Sequence, residues 1–285
     1  MRTVAVVQAR MASTRLPGKA LLPLSKGRTL LDAVLDTLQE CVGRLGGAYA
    51  GALTGGAWAS AEGLLADLVV ATTTRPEDDA IGKHCRARQV AVFRGEAENV
   101  LDRFLRVAEA FQADALLRVC ADNPLLAPEL VEELVRFAHP RRPDYAGYRT
   151  ATGVPAICTA GGLVAEWVAT EALRRLARSP ITPQMAEHVT LGIYTQSGYD
   201  TAWLPLPDWA DQGWLRLTCD TAEDLDRLRY IFAYGPVHAS RQKLIAWIAD
   251  QSVLVQAMRQ ANQDNPKPSV SIPDRGANSK KISTR

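Results

Sequence analysis

The stretch TVAVVQARMASTRLPGK, Thr3–Lys19, runs from a β-branched apolar segment straight into two arginines, two hydroxyls, a Pro-Gly pair and a lysine. A β-branched run bounded by turn residues reads as a buried strand. Basic side chains beside glycine and hydroxyls at a strand's end suit an anionic ligand, phosphate above all. Two familiar phosphate loops fail on spacing. A Walker A loop ending at Gly18-Lys19 needs glycine at 13 and Ser or Thr at 20, where the chain has Ser13 and Ala20. No G-x-G-x-x-G occurs either, so the loop is of another kind.

Outward from this stretch, strand and helix patterns alternate. Residues 3–9, 68–74, 90–95 and 115–121 read as buried strands, with helical patterns over 29–42, 79–88, 98–112 and 128–138. Asp78 is placed to cap the helix at 79, and Pro128 suits a first helical turn. WLRLTCD, 214–220, reads as a further strand leading into a helix capped by Asp220 or Thr221. The pattern predicts an α/β fold, a mostly parallel sheet with helices on both faces. Ligands of such sheets bind beyond the carboxyl ends of the strands. Three polar clusters fall there: Arg10 to Lys19, then Asp122-Asn123-Pro124, then Asp220. Asp before Pro, or at a helix cap, is ordinary turn chemistry when met singly. Two carboxylates and a basic loop on one edge make a site for a divalent cation, Mg²⁺, with a polyphosphate.

Bulk properties narrow the class. The 285 residues carry a net charge of +2, and the segment 262–285 supplies +3 of it. A nearly neutral body has no electrostatic footprint for nucleic acid. Five cysteines at scattered spacings suggest neither a zinc site nor a disulfide framework. No run of about 18 apolar residues is present, and Arg10 interrupts the first apolar run, so no membrane span and a cytoplasmic location are expected. Residues 43–63 hold seven glycines and read as a surface insertion. The expected organisation is a main domain over 1–235, an arm within it over 160–211, a helical extension over 236–261 and a disordered tail over 262–285.

ARMASTRLPGK resembles the A-R-x-x-S-x-R-x-P-G-K signature of the cytidylyltransferases that activate acidic sugars, the CMP-KDO and CMP-sialic acid synthetases among them. Within that superfamily the chain is most similar to the spore-coat polysaccharide F-type cytidylyltransferases. VVATTTRPEDDAI, VFRGEAENVLDRF, LLRVCADNPLLAPELVEELV, AEHVT and LRLTCDTAEDL extend the likeness, in order, to about residue 235. The resemblance implies a Rossmann-like nucleotidyltransferase fold with a dimerisation arm and C-terminal helices. It implies transfer of CMP from CTP to a small acidic acceptor, with pyrophosphate released, by a homodimer. Arg10 and Lys19 would hold phosphates, with Ala9, Ser13 and Arg15 in the same loop. Asp122 and Asp220 would hold Mg²⁺, Cys120 and Ala121 would adjoin the nucleotide, and Thr72 and Thr73 would approach the base. Glu166, Glu187 and His188 would face the acceptor. His188 either orients a proton acceptor or hydrogen-bonds within a dimer arm.

The chain departs from the family where G-L-D-V-E becomes GLVAE, Gly162–Glu166, so that Val164 replaces an acid near the acceptor. A phosphonate or sugar phosphate acceptor would call on Arg141, Arg142 and Arg149. A non-enzymatic assembly partner in a polysaccharide pathway would be expected to lose the loop lysine or the aspartates, and all are present. Trp167, Trp203 and Trp209 in the arm are expected outside the sheet core, at the dimer interface.

Overall fold

The computed structural model describes residues 1–46, 63–267 and 270. Most of the glycine-rich insertion and of the tail expected to be disordered lie outside these residues. Along the chain run β1 (Thr3–Gln8), β2 (Pro23–Ser25), β3 (Arg28–Thr29), α1 (Leu30–Arg44), β4 (Asp67–Thr73), α2 (Asp79–Ala87), β5 (Ala91–Gly95), α3 (Val100–Ala110), β6 (Ala115–Cys120) and α4 (Pro128–Arg141). There follow β7 (Tyr145–Arg149), β8 (Glu166–Ala169), α5 (Thr170–Ala177), α6 (Pro183–Glu187), α7 (Leu191–Thr195), β9 (Thr201–Pro205), α8 (Ala222–Tyr234), α9 (Arg241–Ala249) and α10 (Ser252–Asp264).

β2 and β3 form a separate antiparallel pair, and the other seven strands assemble in one sheet in the order β5-β4-β1-β6-β8-β7-β9. All neighbours pair parallel except β8, which is antiparallel to both β6 and β7. The mostly parallel α/β sheet is therefore as expected, and the chain reverses its lateral direction on either side of β1. Side chains alternate between two cores, as a period of two requires. Ala5, Val7, Leu117 and Val119 face the side of α1 and α4, whereas Val4, Val6 and Leu116 face α3 and α5. Helix starts follow local chemistry: Thr29 with Asp32, and Thr221 with Asp224, form reciprocal capping boxes at α1 and α8.

Three expectations are corrected. Residues 214–220 form no strand; the amides of Leu217 and Thr218 bond to Ala160 O, and that of Cys219 to Asp122 O, so the segment is pinned to two loops instead of a sheet edge. Asp78 does not cap α2 with its side chain, because its carboxylate is taken by Met11 N at 2.7 Å and Thr73 N at 3.2 Å. Trp167 lies in the sheet core, fully buried on β8, and not in an outlying arm. Residues 145–205 also supply three strands, β7 to β9, that local patterning did not indicate.

Candidate active site

At the carboxyl end of β1 the chain leaves the sheet at Ala9, whose amide still bonds to Ala71 O at 3.1 Å. The loop that follows is closed on itself. Met11 O accepts from Ser13 N and from Gly18 N, at 2.9 and 2.8 Å, and Ser13 Oγ accepts weakly from Leu16 N at 3.4 Å. Gly18 stands at φ +72°, where a side chain would be strained, and a Cβ would come within 3.3 Å of Met11 Cε. Asp78 ties Met11 N to the end of β4, so the loop is braced from outside as well. A closed backbone of this kind turns the side chains of Arg10, Ser13, Arg15 and Lys19 towards one cavity.

That cavity, of about 800 Å³, opens beyond the ends of β1 and β6, where the strand order reverses. Lys19 Nζ donates to Asp122 Oδ2 at 2.7 Å and to Cys219 O at 2.8 Å, and lies 3.4 Å from Asp220 Oδ1. Arg15 reaches the same Asp220 oxygen at 3.2 Å. The aspartates expected to share a cation thus converge on one ammonium, although 98 residues part them in sequence. Burial alone would disfavour the Asp220 carboxylate. The ammoniums of Lys267 and Lys19 and the Arg15 guanidinium outweigh it and hold its pKa well below the ordinary carboxylate range. Burial likewise disfavours the Lys19 ammonium, and Asp122 more than offsets this, raising its pKa above the ordinary lysine value.

The far end of the cavity is built on the antiparallel pair β6–β8, whose register sets Arg118 opposite Glu166. Both are buried and ion-paired. Glu166 also accepts from Tyr145 Oη at 2.9 Å and Thr190 Oγ1 at 2.8 Å, and Arg118 reaches Gln8 Oε1 at 3.2 Å. Glu166, expected to face an acceptor, therefore lines the cavity with its carboxylate already committed to the sheet. Glu187 and His188 also line the cavity, both exposed, with Glu187 paired to Arg10 at 3.1 Å. Desolvation and the Arg118 guanidinium lower the His188 pKa below the usual imidazole value.

Of the residues expected at the site, Ala9, Arg10, Ser13, Arg15, Lys19, Cys120, Ala121, Asp122, Glu166, Glu187, His188 and Asp220 line this cavity, as does Val164. Thr72 and Thr73 do not: both are buried, and Thr73 Oγ1 donates to Asp78. Arg141, Arg142 and Arg149 are absent from its lining; Arg141 bonds to Phe137 O, and Arg149 stacks on Trp203 at 4.1 Å. A second cavity of about 720 Å³, lined among others by Arg28, Phe232 and Arg241, holds none of the residues expected to bind nucleotide, acceptor or metal. Sequence reading missed Arg118, whose signal is a lone charge inside the apolar strand ALLRVC, and Lys267, which follows α10 and carried no signal at all.

Known proteins bear on this geometry. The sequence profile described as Cytidylyltransferase matches residues 4–43 and 58–164. The spore coat polysaccharide biosynthesis protein SpsF of Bacillus subtilis is 32% identical over 229 residues, which is 80% of this chain and 85% of that protein. A cytidylyltransferase structure from Leptospira borgpetersenii, 25% identical, superposes with a TM-score of 0.72 over 90% of this chain and 97% of that one. The CTP complex of CMP:2-keto-3-deoxy-manno-octonic acid synthetase, 18% identical, shares the fold with a TM-score of 0.55 over 82% of this chain and 99% of that one. With a profile match across half of its length and a relative aligned over most of it, the chain belongs to the cytidylyltransferase family of nucleotidyltransferases, as a relative of the CMP-sugar-acid synthetases.

Proposed function

We propose that this enzyme transfers CMP from CTP to an acidic sugar or a related small acid and releases pyrophosphate, in the service of surface glycan synthesis. The observation that carries the reading is the convergence of Asp122 and Asp220 on Lys19, beside a loop that presents Arg10 and Arg15. In this reading the loop cations and Ser13 hold the β- and γ-phosphates, and Ala9, Cys120 and Ala121 border the nucleotide.

The donor set suits Mg²⁺, since two carboxylates already share one ammonium and offer hard oxygens. Asp122 and Asp220 would hold the ion, which when bound supplies electrophilic activation of the α-phosphorus and charge neutralisation. The acceptor lies towards Glu166, Glu187 and His188. There an acceptor hydroxyl gives up its proton, its oxygen bonds to the α-phosphorus, and the bond to pyrophosphate breaks. In this reading His188, which lines the cavity, orients or takes that proton, and its pKa is lowered by desolvation and by the Arg118 guanidinium. Val164 leaves this end without the acid that the family pattern places there, which favours an acceptor of different substitution from the usual sugar. The reading with a phosphorylated acceptor loses its motive, because the three arginines it needed line no part of the cavity.

We place the enzyme in the cytoplasm as a homodimer. The supports are that no described helix is long and apolar enough to cross a membrane and that β9, with half-buried Trp203, is an edge strand. The test is a pyrophosphate-release assay of each nucleoside triphosphate against 2-keto sugar acids, sugar phosphates and phosphonates, with light scattering for the mass. CTP-dependent release with a sugar acid and a divalent cation, from a dimer, is expected. Release with a phosphorylated acceptor alone overturns the acceptor assignment.

A further inference from the structure

Asp220 gathers more positive charge than one carboxylate needs. Arg15 and Lys19 approach Oδ1, and Lys267 Nζ sits on Oδ2 at 2.7 Å. Arg216, 3.6 Å away, is committed to Asp224 by two bonds of 2.7 and 2.9 Å. Lys19 also has Asp122 and Cys219 O. Lys267 differs from both: among the described residues its one hydrogen-bonded partner is Asp220. It comes from outside the sheet, on the segment that follows α10, and Arg216 Nη1 anchors the end of α10 and that segment beside the site by bonds to Asn262 Oδ1 and Asn265 O, at 3.4 and 3.2 Å. Its ammonium lines the cavity and lies close enough to His188 and Cys158 to disfavour positive charge on the one and favour the thiolate of the other.

We propose that Lys267 is a resident counter-ion of the active site, holding the position at Asp220 that a divalent cation takes and leaving it when the cation arrives. The proposal rests on the reading of Asp122 and Asp220 as the cation pair. A divalent cation at Asp220 repels an ammonium 2.7 Å from Oδ2 of the same carboxylate, so docking of Lys267 and loading of the metal oppose one another. Because such coupling is reciprocal, the metal loosens the lysine by the same factor by which the lysine weakens the metal. The lysine freed in this way remains at the wall of the cavity that Arg15 and His188 also line.

The test uses the full chain without nucleotide and Mn²⁺ as the probe. Mn²⁺ binding is followed by electron paramagnetic resonance for the wild type, Lys267→Gln and Asp220→Asn, with circular dichroism as the check on folding. Lys267→Gln should bind Mn²⁺ about fivefold more tightly or better, the lower end of ordinary coupling between two sites. Acylation of the Lys267 amine by a succinimidyl ester, read by mass spectrometry on the wild type, should rise as Mn²⁺ is added. Equal or weaker Mn²⁺ affinity in Lys267→Gln, with binding lost in Asp220→Asn, overturns the exchange and leaves the cation pair standing. Absence of Mn²⁺ binding in the folded wild type and Lys267→Gln alike removes the cation pair itself, and this proposal with it.

Discussion

At the loop end of the cavity the paired side chains, apart from the buried carboxylate of Asp220, keep contact with solvent: Arg15 is 50% exposed, Lys19 17% and Asp122 23%. At the far end Arg118 and Glu166 are 7% and 1% exposed and share a closed network with Tyr145, Thr190 and Gln8. Ion pairs open to water are weak and exchange partners readily. A buried pair behaves otherwise, because removing one member strands the other without water. The loop end is therefore built to trade its counter-ions for a ligand's charges, and the far end is built to keep its own. One cavity joins a labile half to a fixed half.

The largest effect expected from this contrast is at the labile half. Asp122→Asn and Asp220→Asn should each lower kcat by ~10³-fold, about 4 kcal/mol of barrier, and chelation of metal should do the same. A folded variant that keeps a tenth of wild-type turnover breaks the assignment of that half. Glu166→Gln tests the fixed half. It should lower the free energy of unfolding in urea by about 3 kcal/mol, and the apolar pair Arg118→Met with Glu166→Leu should recover most of it. Unchanged stability in Glu166→Gln would erase the contrast between the halves.

Lys19→Ala and Arg10→Ala should each lower kcat/KM by ~10²-fold, about 2.7 kcal/mol, and Arg10→Ala, which breaks only an exposed pair, should keep a melting temperature close to the wild type's. Near-normal kinetics in both would detach the loop from phosphate. The smallest effect expected is that of His188→Gln, about tenfold in kcat, or ~1.4 kcal/mol. Its sign with pH sharpens the case. A base must be deprotonated, and the His188 pKa is lowered, so wild-type kcat should rise with pH below about 6.5 and level off by neutrality. The variant should lack this acid limb. A limb retained in the variant belongs to another group.

The labile half was the more legible in sequence, and for a physical reason. Its basic loop and Asp122 sit where strands end, marked locally by Pro-Gly and Asp-Asn-Pro, and Asp220, which follows no strand, is marked by the helix cap beside it. The fixed half depends on register. Arg118 and Glu166 meet only because β8 pairs antiparallel with β6 across 48 residues, which no local pattern records. β8, four residues long, and β7, with a glycine at its centre, are too short and weak to announce themselves. The converse error has the same root. LRLTC alternates as a strand does, yet no strand lies beside it to accept its amides. Lys267 was invisible because a lysine in a polar tail carries no sign of the aspartate it meets.

Asp78 lies apart from the cavity, and yet it fastens Met11 N to Thr73 and so fixes how the basic loop leaves β1. The loop is consequently not a portable cassette. Grafting ARMASTRLPGK onto another strand would carry the charges without the carboxylate, sixty-seven residues downstream of Met11, that sets their direction. An engineer who wishes to move this basic loop must move three pieces together: the loop, the end of β4 and the turn into α2.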